Sequence, residues 1–262
     1  MANYIEMDNL RFIIHEMLNA EQLCKLPRYQ DHDKDSFDIM MNSTKDYADK
    51  VMYPTFKEMD EDPARYEDGG VYVHPVVGEV MKYAGENGTI GALFDYEVGG
   101  MQLPYLINSA LAHIVQSANN SIPGYTGLTG GAAGLIVSFG AQELIDRYVP
   151  NMINGQWGGT MCLTEPQAGS SLSDITTSAT PNADGSYQIK GQKIFISGGD
   201  HAYCDNFVHL VLARIDGAPA GTKGISLMVV PKHRLKDDGT LEPNDVITAG
   251  DFQKMGQKGY CT

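Results

Sequence analysis

The spacing of apolar residues changes once along this chain, and that change limits the possible folds more than any other feature. Up to Pro150 the spacing is helical. Leu10, Ile13, Ile14, Met17 and Leu18 recur at i, i+3, i+4 and i+7, with Asp8 or Asn9 placed to cap. A segment starting at Asp35 or Ser36 puts Phe37, Met40, Met41, Tyr47, Ala48 and Val51 on one face, and it is expected to stop before Pro54. Its methionines read as core filler. The acidic, Pro-containing stretch 58–68 reads as a solvated linker or turn. Residues 76–84 predict a further helix. A Gly99-Gly100 turn then leads into a helix over 104–119 that buries Leu106, Ile107, Ala110, Leu111, Ile114 and Val115.

Beyond Pro150 the period falls to two. Residues 151–159 carry turn formers. Tyr187, Ile189, Ile194 and Ile196 alternate around Lys190-Gly191-Gln192, after a turn at 182–185. Strands are also expected over 207–213 and 224–230. Helices followed by strands, not interleaved with them, give an α+β chain. The expected division is a helical domain over 1–157 and a β-rich domain over 158–262. No repeat of about 20 to 50 residues occurs, so a solenoid is excluded.

Composition narrows the function classes. A formal net charge of −14 argues against nucleic-acid binding through a general basic surface, although a local pocket of N–H donors can still hold phosphate. Cys24, Cys162, Cys204 and Cys261 are scattered with no CxxC pair, which fits free thiols in a reducing compartment and no zinc or disulfide framework. The start MANYIEMDNL has neither a basic nor an apolar leader region, and no apolar run approaches the roughly 18 residues of a membrane span. A cytoplasmic location is the expectation.

The stretch MCLTEPQAGSSLSDI, 161–175, carries the most chemical interest. Residues 160–163 predict a strand, which Thr164-Glu165-Pro166 ends because proline cannot donate to a ladder. Residues 167–173 then offer main-chain N–H groups and the hydroxyls of Ser170, Ser171 and Ser173. Such a surface suits a flat heteroaromatic with carbonyl and ring-nitrogen acceptors, or a phosphate; a plain polar loop is the alternative. Neither a Walker pattern nor GxGxxG is present. Glu165 is a candidate base or a positional residue. Asp200 and His201 are a candidate pair, with an exposed turn the favoured reading, and His209 reads as a hydrogen-bonded sheet residue. The small-residue run 126–134 either lets helices approach closely or leaves space for a ligand.

Three ordered signatures resemble the acyl-CoA dehydrogenase family: VGGMQLP, MCLTEPQAGSSLSDI and DGSYQIKGQKIFISGGDH. The strand GTKGISLMVVPK fits the same pattern. LRFIIHEML and VHLVLARIDGAPAGTKGISL resemble a longer branch that includes methylmercaptopropionyl-CoA and other broad-range acyl-CoA dehydrogenases. The resemblance implies FAD as cofactor. It places Met161, Leu163 and Thr164 along the pyrimidine side of the flavin, Phe195 and Ser197 on the other side, and Ser170 at the pyrophosphate or the CoA arm of the substrate. Asp174 is expected to stand in for a carboxylate that relatives carry where this chain has Ser171. The resemblance implies a helical N-terminal domain with 1–35 as an N-terminal extension, a β-barrel-like middle domain over 158–262 that is incomplete at its C-terminal end, and a C-terminal four-helix domain that supplies the glutamate base. That domain is expected to be absent from this chain, so no catalytic residue is assigned and the chain is expected to be a fragment. The implied reaction oxidises an acyl-CoA to a trans-2-enoyl-CoA in a homo-oligomer (dimer or tetramer) and passes electrons to an electron-transfer flavoprotein. Alternatives are a related acyl-CoA or nitroalkane oxidase, or a non-catalytic binding or assembly module.

Overall fold

Asp33 starts the first long helix through a reciprocal cap. Its carboxylate accepts the Ser36 N–H at 2.7 Å, while the Ser36 hydroxyl oxygen accepts the Asp33 N–H at 2.9 Å. Such caps contribute about 1 kcal/mol. In this computed structural model, which describes residues 4–250 and 256–260, the helix α2 (Lys34–Tyr47) follows α1 (Met7–Arg11) and the π turn that extends it, Phe12–Met17. Phe37 and Met41 are fully buried.

Pro54 does not stop the helix, contrary to expectation. A π turn over Ala48–Met52 links α2 to α3 (Tyr53–Glu61), with the Tyr53 N–H bonded to the Ala48 carbonyl. Pro54 thereby falls in a first turn, where its missing N–H costs nothing. The Thr55 hydroxyl caps the carbonyls freed nearby, reaching Met52 O at 2.9 Å and Val51 O at 3.3 Å. The acidic stretch is not a plain linker either: its start completes α3, and β1 (Arg65–Glu67) pairs with β2 (Gly70–Tyr72) as a hairpin.

The helices α4 (Val76–Glu86) and α5 (Tyr105–Ala118) complete a first core around Phe37, Met41, Met59, Met81, Ile107 and Ile114. The methionines there are filler, as their stripe predicts; Leu106 and Val115 are only half-buried. The small-residue run lies in α6 (Pro123–Phe139), which has no side-chain cap of its own. Tyr260 supplies one from far along the chain: its hydroxyl accepts the Gly124 N–H at 2.8 Å and donates to Asn120 O at 2.9 Å.

Helix α7 (Gln142–Ile153) runs through Pro150, so the expected turn shortens to the few residues before β3 (Trp157–Cys162). The remaining strands are β4 (Ser178–Pro181), β5 (Tyr187–Lys190), β6 (Asn206–Ile215), β7 (Ile225–Pro231), β8 (His233–Leu235) and β9 (Leu241–Pro243). Strand β6 is central. Along one edge it pairs in parallel with β3 and then β4; along the other it pairs antiparallel with β7. Strand β5 closes on β4, and β8 pairs with β9 as a separate ribbon. Residues 191–196, expected as a continuing strand, lie outside the ladders.

The sheet is laid on the helices through β3. Gly159 lets β3 approach α6 so closely that its N–H reaches the Thr129 hydroxyl at 3.0 Å. A second core, with Ala132, Ile136, Val149, Met152, Trp157, Val208 and Leu210, joins α6 and α7 to β3 and β6. Among the described residues no helix is long and apolar enough to cross a membrane.

Candidate cofactor site

Just past the end of β3, Leu163 and Thr164 meet the segment 193–197. The Ile194 N–H donates to Thr164 O at 2.9 Å, and the Lys193 ammonium donates to Leu163 O at 3.1 Å. These bonds explain why 191–196 form no ladder: the segment is held by side-chain and single backbone contacts across the strand end. Past Thr164 the chain turns on itself, with Glu165 and Ala168 exchanging backbone bonds around the Pro166 corner.

The sequence-predicted residues fall around this junction as follows. Leu163 and Thr164 are half-buried at its centre. Among the described residues, no hydrogen bond engages the Leu163 N–H or the Thr164 N–H and hydroxyl. Phe195 is 53% exposed and holds a left-handed φ of 57°, a conformation uncommon for an aromatic residue. Ser197 is half-buried in the following turn, beside Gly198, whose φ is 64° and whose Cβ position lies 3.6 Å from the Tyr125 ring. Ser170 is exposed on the loop after Ala168, next to Gly169, whose Cβ position lies 3.8 Å from the Thr164 methyl. Met161 stands apart: its side chain packs towards α6 and α7, leaving only its backbone to a ligand on the strand edge. In the loop itself Asp174 accepts from Ser171 at 2.8 Å and from Ser173 at 3.1 Å, so one carboxylate orders the hydroxyl run.

Glu165 is not placed to act as a base. It is 2% exposed, and its two oxygens accept five hydrogen bonds, from Gln167, Thr176 (twice), Thr177 and Lys193. Burial alone raises its pKa, but the bonds from Lys193 and the threonines outweigh that and hold the carboxyl well below the usual range. Lys193 is the residue that the sequence reading left without a role. Its only signal was position, two residues before Phe195.

The Asp200–His201 expectation also needs correction. His201 is buried, not in an exposed turn, with its ring against Tyr125 and Phe207 at 5.5 and 4.9 Å. Asp200 pairs with Lys232 at 2.6 Å instead. Burial lowers the His201 pKa to about 4, Asp200 opposing and Lys232 adding to the fall. His209 is a hydrogen-bonded sheet residue, its Nδ1 2.8 Å from the Thr160 hydroxyl, and burial likewise lowers its pKa to about 4. Cys162 is buried and its thiol is pushed up to about 11 by that burial, so it is unreactive. Cys24 is a free thiol, and Cys261 lies outside the described residues. No group of three or more metal-ligating side chains occurs among the described residues.

Comparison with known proteins identifies the framework. The N-terminal domain of acyl-CoA dehydrogenases matches residues 35–156, and the middle domain of the same enzymes matches 160–260. The chain belongs to the acyl-CoA dehydrogenase family. A butyryl-CoA dehydrogenase of Syntrophomonas wolfei is 34% identical over 267 residues, covering 99% of this chain and 44% of that protein. A 3-methylmercaptopropionyl-CoA dehydrogenase of Ruegeria pomeroyi is 35% identical over 255 residues, covering 97% and 43%. This chain therefore spans less than half the length of these relatives. Among solved structures, an acyl-CoA dehydrogenase of Bacillus anthracis complexed with FAD shares the fold. Its TM-score is 0.66 at 24% identity, covering 88% of this chain and 36% of that one. The acyl-CoA dehydrogenase fold thus accounts for the helices followed by a curled sheet.

Proposed function

We propose that this chain forms one wall of an FAD site, and that the whole protein oxidises an acyl-CoA thioester to a trans-2-enoyl-CoA. One observation supports this above the rest. Where Leu163 and Thr164 meet 193–197, half-buried N–H and hydroxyl donors have no partner among the described residues and lie beside a half-exposed aromatic ring. Such groups fit the acceptor-rich edge and flat face of a flavin, and donors already held in place stabilise charge without rearranging.

In this reading Leu163 and Thr164, with the Met161 backbone, bind the pyrimidine edge. Phe195 and Ser197 line the opposite side, and Ser170 meets the pyrophosphate or the CoA arm. When bound, the flavin supplies the acceptor for the hydride that leaves the substrate β-carbon. The chain's own residues hold and orient it. Glu165 does not remove the α-proton, since its carboxylate is fully engaged; a base elsewhere in the whole protein does so. Electrons then pass to an electron-transfer flavoprotein.

The test has two stages. Titrating the purified chain with FAD should quench flavin fluorescence and give a saturable visible circular dichroism signal. The full gene product, mixed without oxygen with saturated acyl-CoAs of several lengths, should bleach its flavin. Absence of bleaching with every thioester rules out the dehydrogenase reading, and rapid peroxide formation in air favours an oxidase.

A further inference from the structure

We infer that the buried Lys193–Glu165 ion pair is the positioning device that sets the two sides of the candidate site against each other. This rests on the FAD reading above and adds to it two residues that touch no cofactor.

The ammonium of Lys193 reaches Glu165 Oε1 at 2.8 Å and Leu163 O at 3.1 Å; the side chains are 9% and 1% exposed. Lys193 thus holds one strand end by its backbone and by the next-but-one carboxylate. Glu165 is in turn fixed by donors from a third segment, the Thr176 N–H at 2.7 Å, the Thr176 hydroxyl at 2.9 Å and the Thr177 N–H at 3.1 Å, and by the Gln167 amide of its own loop at 2.8 Å. Thr176 and Thr177 lead directly into β4, which pairs with the central strand β6. The geometry is therefore referred back to the sheet.

The result is a three-way junction. Leu163 and Thr164 come from the chain just past β3, Phe195 and Ser197 from the segment after Lys193, and the anchor from the two residues before β4. Among the described residues one direct backbone bond, Ile194 N–H to Thr164 O, joins the first two. A single bond leaves a segment free to pivot; the charged tie one residue earlier removes that freedom. Because Lys193 engages the Leu163 carbonyl, the strand end cannot rotate without losing that bond. The Leu163 and Thr164 donors are thereby held towards the site. A buried pair of this kind adds little net stability, but a charge left alone there is costly, so the arrangement is tightly specified. It is a positioning pair, not a catalytic one.

The experiment compares the chain with K193M, which cuts the tie but leaves Glu165 its four donors from Gln167, Thr176 and Thr177. Far-ultraviolet circular dichroism checks the fold. FAD affinity should fall about tenfold or more, as when outer-layer partners of bound groups are removed at metal sites, and the visible dichroism of the bound flavin should change shape. K193R, which keeps the charge and its donors, should restore most of both. A folded K193M that binds FAD with wild-type affinity and an unchanged flavin spectrum overturns the inference. Should K193M fail to fold, the double variant E165Q/K193M, which buries no lone charge, is read by the same two measurements. If the wild-type chain itself binds no FAD, the cofactor reading falls. Amide exchange then decides the positioning role alone: faster exchange at 193–197 in K193M supports it, and unchanged protection overturns it.

Discussion

Replacing Gly159 by alanine should separate the sheet from the helices beneath it. A Cβ built there lies 2.7 Å from the Met152 methyl, 3.0 Å from Ala132 Cβ and 3.1 Å from Thr129 Cα. The Met152 methyl can swing aside, but Ala132 and Thr129 belong to the rigid helix α6. Restoring ordinary carbon contacts requires β3 and α6 to part by roughly 0.5 Å. The Gly159 N–H bond to the Thr129 hydroxyl stretches with them. Overpacking of this kind costs about 1–3 kcal/mol, and the stiffer unfolded chain returns up to about 1 kcal/mol. The net loss is about 1–2 kcal/mol, a urea midpoint lower by about 0.5 M for a slope near 3 kcal/mol/M. Gly131, on the open face of the same helix with nothing within 4 Å of its Cβ position, is the control. There alanine should raise the midpoint, by up to about 1 kcal/mol of helix propensity. Equal effects at 159 and 131, or a stabilised G159A, would refute the packing argument.

Three further outcomes follow from named contacts. T164V removes a hydroxyl that has no partner among the described residues and should weaken FAD binding about tenfold, the value of one hydrogen bond, with far-ultraviolet dichroism unchanged. Y260F deprives the start of α6 of its acceptor and frees Asn120 O, so the urea midpoint should fall by an amount equivalent to about 1–3 kcal/mol. His201 and His209 stay neutral in the fold down to about pH 4, whereas unfolded imidazoles take up protons near pH 6.5. Unfolding is therefore favoured as pH falls from 6.5 to 4. H209N should flatten that decline by no more than about 3 kcal/mol when urea midpoints are compared across the window.

The order of helices and strands was legible because burial writes a period into the sequence, and Phe37, Met41, Ile107 and Ile114 follow it. Pro54 was misread because its effect depends on hydrogen bonds around it; the π turn and Thr55 accommodate it in a way that local composition does not reveal. His201 was misread for a different reason. Its neighbours in sequence are turn formers, but its burial comes from Tyr125 and Phe207, which only the tertiary fold brings near. Family resemblance pointed to both sides of the candidate site. It did not show that Glu165 and Lys193 meet, since a salt bridge across 28 positions leaves no periodic mark.

The central place of β6 has a consequence for how the protein is made. A chain synthesised from its N-terminus completes α6, α7 and β3 well before Asn206 appears. During that interval β3 is covered on its helix face yet has no partner along the edge that β6 will occupy. Unpaired edges of this kind recruit other strands. The nascent protein therefore passes through a stage in which its helical half is already assembled and its sheet is open to the wrong neighbour. The arrival of one strand ends that exposure for β3 and β4 together.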